Sequence, residues 1–247
     1  MKVVAHRGYS GAYPENTMLA FQKAVEAGCD EIELDVQLAK DGTVVIIHDE
    51  KIDRTTDSSG NVRDVTYEQL RTFDAAKLWN GKFSGVHIPS FEEYCEWAAT
   101  VPVTTNIELK TSIVYYKEIE QKTIDIIAKY ALEKKVMFSS FNHLSLISAK
   151  AIAPSIPVGA LVEKTALVHA GYFCKKYGFE FYHPDFALLD DAAVNELKAH
   201  GTGFNVWTVN SMDALEKLHD WGASGVITNF PAVCKAYVKE RETAKSQ

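Results

Sequence analysis

Two short stretches of this chain alternate apolar with charged residues. They are Ile32-Glu33-Leu34-Asp35-Val36 and Ile107-Glu108-Leu109-Lys110. In a strand successive side chains point to opposite faces. If Ile32, Leu34, Val36, Ile107 and Leu109 take the covered face, Glu33, Asp35, Glu108 and Lys110 all point the other way, into one interior. Carboxylates crowded in this way repel by roughly 4 kcal/mol per pair at about 4 Å and an effective dielectric near 20. Three such pairs approach ~10 kcal/mol, which is comparable with the whole stability of a domain. Oxygen-only donors suit a hard divalent cation, Mg²⁺ or Ca²⁺, and one such ion would relieve the repulsion. The plainer alternative is a set of structural ion pairs, with Lys110 and Arg7 neutralising the acids.

Two histidines stand close to this set. His6 ends the apolar run KVVAH (2–6) and His48 ends TVVIIH (43–48). Placed together at strand ends beside an acid cluster, they suit a general acid/base pair. Arg7 supplies a planar fork and Lys110 a point charge, the usual anchors for a phosphate. Three carboxylates, one divalent cation, these two side-chain cations and one phosphodiester sum to zero formal charge.

What must position these residues is an alternation of strand-like and helix-like runs along most of the 247 residues. Further strand candidates are EIELDVQL (31–38), TTNIELK (104–110), VMFSSF (136–141), PVGALVE (157–163), FEFYHP (179–184), GFNVWTV (203–209) and GVITN (225–229). Between them lie helical patterns such as TMLAFQKAVEAG (17–28), with Asn16 or Thr17 as N-cap and Gly28 as terminator. Such alternation predicts a parallel sheet with helical crossovers. The Asp41-Gly42 turn joins 31–38 directly to 43–48 as a local excursion. Eight strand-helix units then remain, in a chain of the length usual for a (β/α)8 TIM barrel. A doubly wound open sheet is the runner-up, but no GxGxxG follows the first strand. We expect a single α/β domain over 1–247, with an insertion or lid at about 49–89, after the second strand. That segment has little periodicity, and its Trp79 and Phe83 suit packing on the barrel rim.

Composition narrows the partners. A net charge of −7 argues against nucleic acid. No apolar run reaches the roughly 20 residues of a membrane span, so stable membrane insertion is not expected. The early first strand leaves no room for a signal peptide. Cys29, Cys95, Cys174 and Cys234 are widely spaced without a CxxC, as reduced thiols of a cytoplasmic protein would be. No oligomeric state follows from any of this.

The stretches HRGYSGAYPENTMLAF, GCDEIELDVQLAKDGTVVIIHDEKIDRTT, NIELK and VWTVN, in this order, resemble the glycerophosphodiester phosphodiesterases from residue 2 to about 231. The resemblance implies a β/α barrel with an insertion after the second strand. It also implies a divalent cation on Glu33, Asp35 and Glu108, a catalytic pair His6 and His48, and phosphate contacts from Arg7 and Lys110. Phe141 and Trp207 fall where the family places aromatic residues around the glycerol moiety. The implied reaction is hydrolysis of a small glycerophosphodiester to sn-glycerol 3-phosphate and an alcohol. Related barrels act on lipids, as lysophospholipase D-type or sphingomyelinase D-like phosphodiesterases. Those would need exposed apolar or basic loops at the barrel mouth, whereas the insertion here is mixed in charge. A non-catalytic phosphate-binding barrel would be expected to have lost a histidine or a carboxylate, and all are present.

Overall fold

A computed structural model describes residues 1–245. The strands are β1 (Lys2–His6), β2 (Glu31–Leu38), β3 (Val44–Ile46), β4 (Thr104–Leu109) and β5 (Val136–Ser140), then β6 (Val158–Val162), β7 (Phe181–Pro184), β8 (Gly203–Val206) and β9 (Gly225–Thr228). The helices are α1 (Met18–Glu26), α2 (Tyr67–Leu70), α3 (Phe91–Ala98), α4 (Ile119–Lys129) and α5 (His143–Ile152), then α6 (Ala170–Tyr177), α7 (Asp191–Ala199), α8 (Met212–Asp220) and α9 (Pro231–Lys245).

All strands except β3 are parallel to their neighbours, and β1 pairs with both β2 and β9, which closes the sheet. The architecture is therefore the (β/α)8 TIM barrel. β3 pairs only with β2, antiparallel, as the Asp-Gly turn leads one to expect. β2 is buried along its whole length. Its Ile32, Leu34 and Val36 join Phe21 of α1 and Phe91 of α3 in one apolar cluster. That burial forces the intervening Glu31, Glu33, Asp35 and Gln37 to the barrel interior.

Local chemistry sets the helix ends. Thr17 caps α1, its Oγ1 accepting from the Ala20 N–H at 3.2 Å, and this frees Asn16 for another task. Ser90, Asn142, Asp190 and Ser211 cap α3, α5, α7 and α8 in the same way.

Residues 49–89 fold on a small apolar core of their own, in which Ile52, Val62, Leu70 and Ile88 pack on Val45 and Ile47. Phe83 lies 5.7 Å, centroid to centroid, from Tyr13 in the β1–α1 connection and 5.3 Å from Trp79. The four cysteines are free thiols. No helix among the described residues is long and apolar enough to cross a membrane.

Candidate active site

The strand ends converge on a cavity of about 440 Å³ whose lining includes His6, Arg7, Glu33, His48, Glu108 and Lys110. At the end of β1 the chain turns sharply through Arg7 (φ +56°) and Gly8 (φ +79°). A Cβ on Gly8 would lie 2.7 Å from the backbone carbon of Ala20, so only glycine fits. The turn aims the Arg7 N–H at Glu33 Oε2, 2.8 Å away. A left-handed arginine is a sparsely populated conformation, of the kind that persists where surrounding contacts enforce it.

The carboxylates do come together. One oxygen each of Glu33, Asp35 and Glu108 lies within 4.8 Å of the others, and all three residues are buried. Asp35 Oδ2 accepts from Asn16 Nδ2 at 2.7 Å and faces Arg7 Nε at 3.5 Å. Glu108 Oε1 takes Lys110 Nζ at 2.9 Å, with Asp35 Oδ1 at 3.9 Å from the same ammonium. Burial pushes Glu33 well up, helped by the Asp35 and Glu108 charges. Burial likewise raises Glu108, against the pull of Lys110. Asp35 also loses hydration, but His48, Arg7 and Lys110 outweigh that and hold it below the usual carboxylate range. Asp35 Oδ1 is buried without a hydrogen-bond partner. Three hard oxygen donors with an orphaned carboxylate oxygen among them fit a divalent cation.

The histidines are held differently. His6 Nδ1 lies 2.7 Å from Asn229 Oδ1, which also accepts from Ser10 Oγ at 3.1 Å. With that amide oxygen as acceptor, His6 donates from Nδ1 and keeps its lone pair on Nε2. Nε2 is 4.0 Å from Glu33 Oε2. Burial, with Arg7 beside it, lowers His6 to about 4, so the ring is neutral at neutral pH.

His48 does not end a strand as expected, because β3 stops at Ile46. The Gln37 side-chain amide donates to the carbonyls of Ile47, His48 and Asp49, at 2.9, 3.0 and 2.8 Å. Gathering three successive carbonyls on one donor bends the chain out of the ladder and pins His48 over the cavity. His48 Nδ1 meets Asp49 Oδ1 at 2.6 Å. Arg54 grips Asp49 (Nε to Oδ2, 2.6 Å) and Glu15 (Nη1 to Oε2, 2.8 Å), and Glu15 Oε1 takes Arg7 Nη1 at 2.8 Å. One continuous ion network therefore runs from Arg7 to His48. The hydrogen bond from His48 and the Arg54 charge keep Asp49 below its usual range.

Phe141 and Trp207, just beyond β5 and β8, line the same cavity with rings edge to face, centroids 5.5 Å apart. Trp207 Nε1 donates to the His183 carbonyl at 2.9 Å, which fixes the indole. All nine residues singled out from the sequence thus belong to one site. The sequence assigns no site role to Glu15, Asn16 (an N-cap candidate only), Asp49, Arg54 and Asn229. The first four sit inside the quoted stretches as PEN and HDEKIDR, and Asn229 follows β9 directly. Their signal was polar residues next to motif residues, which alone does not say whom they touch.

The glycerophosphoryl diester phosphodiesterase family model matches residues 6–233. The chain belongs to that family. A glycerophosphodiester phosphodiesterase of Caldanaerobacter subterraneus is 40% identical over 93% of this chain and 94% of its own length. One from Bacillus altitudinis is 38% identical over 99% of both chains. A phosphodiesterase of Oleispira antarctica, solved in complex with the product sn-glycerol-3-phosphate, superposes with a TM-score of 0.86. It is 29% identical over 97% of each chain.

Proposed function

We propose that the protein hydrolyses small glycerophosphodiesters to sn-glycerol 3-phosphate and an alcohol. What carries the reading is three buried acids, two side-chain cations and two histidines around one cavity in a member of this family. Glu33, Asp35 and Glu108 would hold Mg²⁺ or Ca²⁺, which when bound supplies Lewis-acid polarisation of a phosphoryl oxygen. Arg7 and Lys110 bind the phosphodiester charge, and Phe141 and Trp207 pack on the glycerol carbons.

His6, neutral with a free Nε2 lone pair, takes the proton of the attacking oxygen. His48, held through Nδ1 on Asp49, gives a proton to the departing alcohol as the phosphorus–oxygen bond breaks. The attacking oxygen is that of water or of the substrate's own 2-hydroxyl. The latter gives a cyclic phosphate that a later water opens, and phosphorus NMR during turnover separates the two. The deciding assay is release of sn-glycerol 3-phosphate from a panel of glycerophosphodiesters with added Mg²⁺ or Ca²⁺. No release from any of them sinks the reading. We place the protein in the cytoplasm on its free thiols.

One observation favours a second reading, a lysophospholipase D-type activity. Val168 (84% exposed), Tyr115 (79%), Ile113 (77%) and Leu144 (71%) are the most exposed large apolar residues described. Ile113, Tyr115 and Val168 lie on the connections after β4 and β6 and Leu144 in the first turn of α5 after β5, the three strands being neighbours in the barrel, and Ile113 also lines the cavity. Exposed apolar side chains on the side of the barrel that carries the site suit an acyl chain. Comparing turnover of glycerophosphocholine and lysophosphatidylcholine separates the readings.

A further inference from the structure

The deep side of the cavity holds two polar atoms that the roles above do not use. Ser139 Oγ and Asn106 Oδ1 are buried without a hydrogen-bond partner, in residues 0% and 1% exposed, and both residues line the cavity. Leaving a buried polar group unpaired costs free energy, so native interiors rarely do it without cause. The neighbouring Ser140 shows the ordinary solution. It is equally buried, faces the other side of β5, and donates from Oγ to the Leu109 carbonyl at 2.8 Å.

Position says what the unpaired atoms await. Ser139 stands in register with Glu108 on the adjacent strand. Asn106 is two residues before Glu108 on the same face of β4, and Phe141, just beyond β5 and two residues after Ser139, lines the same cavity. Ser139 therefore lies level with Glu108, Asn106 one step deeper beside Glu33, and the aromatic that covers the glycerol one step nearer the mouth. Asn106 Oδ1 can only accept, while a serine hydroxyl both donates and accepts. A hydroxyl satisfies this pair, and a phosphate oxygen, which accepts only, does not.

We infer that Ser139 and Asn106 bind the terminal hydroxyl of the substrate's glycerol, which donates its O–H to Asn106 Oδ1 and accepts on its own oxygen from the Ser139 hydroxyl. The assignment rests on the proposed reaction. The 2-hydroxyl lies one carbon nearer the phosphate and therefore nearer the histidines and cations, so the terminal hydroxyl is the group that reaches the floor. An ester at that position has no proton to give, so Asn106 Oδ1 would stay unpaired. The pair thereby selects deacylated substrates over those carrying an acyl chain on that oxygen.

Ser139→Ala is expected to leave the melting temperature of the free protein unchanged or raised, since it removes an unpaired group. It is expected to lower kcat/KM for glycerophosphocholine at least tenfold, with no loss on lysophosphatidylcholine if that is turned over. Asn106→Ala should show the same split. Ser140→Ala, the control, should lower the melting temperature and leave the substrate ratio alone. Independently of turnover, the rise in melting temperature given by sn-glycerol 3-phosphate should shrink in Ser139→Ala and Asn106→Ala. A lowered melting temperature with unchanged kcat/KM and unchanged product-induced shift assigns the pair to a buried water and overturns the inference. If the wild type turns over no glycerophosphodiester, the reaction reading alone has failed, and the product-induced shift still decides about the floor.

Discussion

Glu31 and Glu33 lie two residues apart on β2, both point into the barrel, and both are buried. Their surroundings differ completely. Glu31 faces the bottom of the barrel, where Lys2 Nζ reaches Oε2 at 3.1 Å and Thr104 Oγ1 donates to it at 2.8 Å. It is one acid with its own cation and a hydroxyl donor. Glu33 faces the mouth, where three acids share Arg7 and Lys110 and burial pushes Glu33 and Glu108 up. The lower region is electrostatically complete in itself. The upper one is complete only with something added, and such incompleteness marks a functional site. Elsewhere in the interior the His183 ring fills the space left by Gly159, and its Nε2 accepts from Asn205 Nδ2 at 3.0 Å.

The contrast can be broken most directly at the histidines. His6→Ala and His48→Ala should each reduce kcat/KM by roughly a hundredfold to ten-thousandfold, the range for a lost general acid or base. Circular dichroism should show the fold retained, and a loss below tenfold removes that histidine from the chemistry. Next come the acids. Glu108→Gln, Asp35→Asn and treatment with EDTA should each abolish most turnover, and calorimetry should show divalent-cation binding lost in both variants. Glu31→Gln should change kcat/KM less than threefold, and a loss as large as that of Glu33→Gln would erase the distinction between the two ends.

A third test uses acid. Burial lowers His183 to about 3 against an ordinary value of 6.5, and His6 to about 4. The unfolded chain therefore binds these two protons at a higher pH than the folded one does, so these rings make stability fall as pH drops from 6.5 towards 3, while Glu33 and Glu108, held up by burial, pull the other way. Urea midpoints measured between pH 7 and 4 should therefore fall more steeply, or rise less, in the wild type than in His183→Gln. Equal slopes in the two proteins would mean that the buried ring takes its proton as readily as a free one. The smallest effect is on stability at neutral pH. Glu31→Gln should cost about 1 kcal/mol, mostly the hydrogen bond from Thr104. The Lys2 ammonium is largely solvated and contributes little.

Much of this was legible without coordinates. Period-two alternation in 31–38 and 104–110 placed Glu33, Asp35 and Glu108 inward, since a strand flanked by helices must cover its apolar side. The glycine-terminated helical runs and the Asp-Gly turn marked the barrel units. The limits appear at His48, where three carbonyls gathered by Gln37 end β3 early, a contact between side chain and backbone that no periodicity records. They appear again at Asn16, which alternation allowed as a cap and the fold uses on Asp35.

By itself, then, the sequence determined which side chains share a face, because that depends on the backbone of consecutive residues. Only the tertiary structure decided which of those side chains are satisfied. Glu31 has Lys2 and Glu33 has no cation of its own, His6 is oriented by an asparagine 223 residues away, and Ser140 is bonded while Ser139 is not. Hydrogen bonds and Coulomb forces act through space, and closing the sheet between β1 and β9 set those distances.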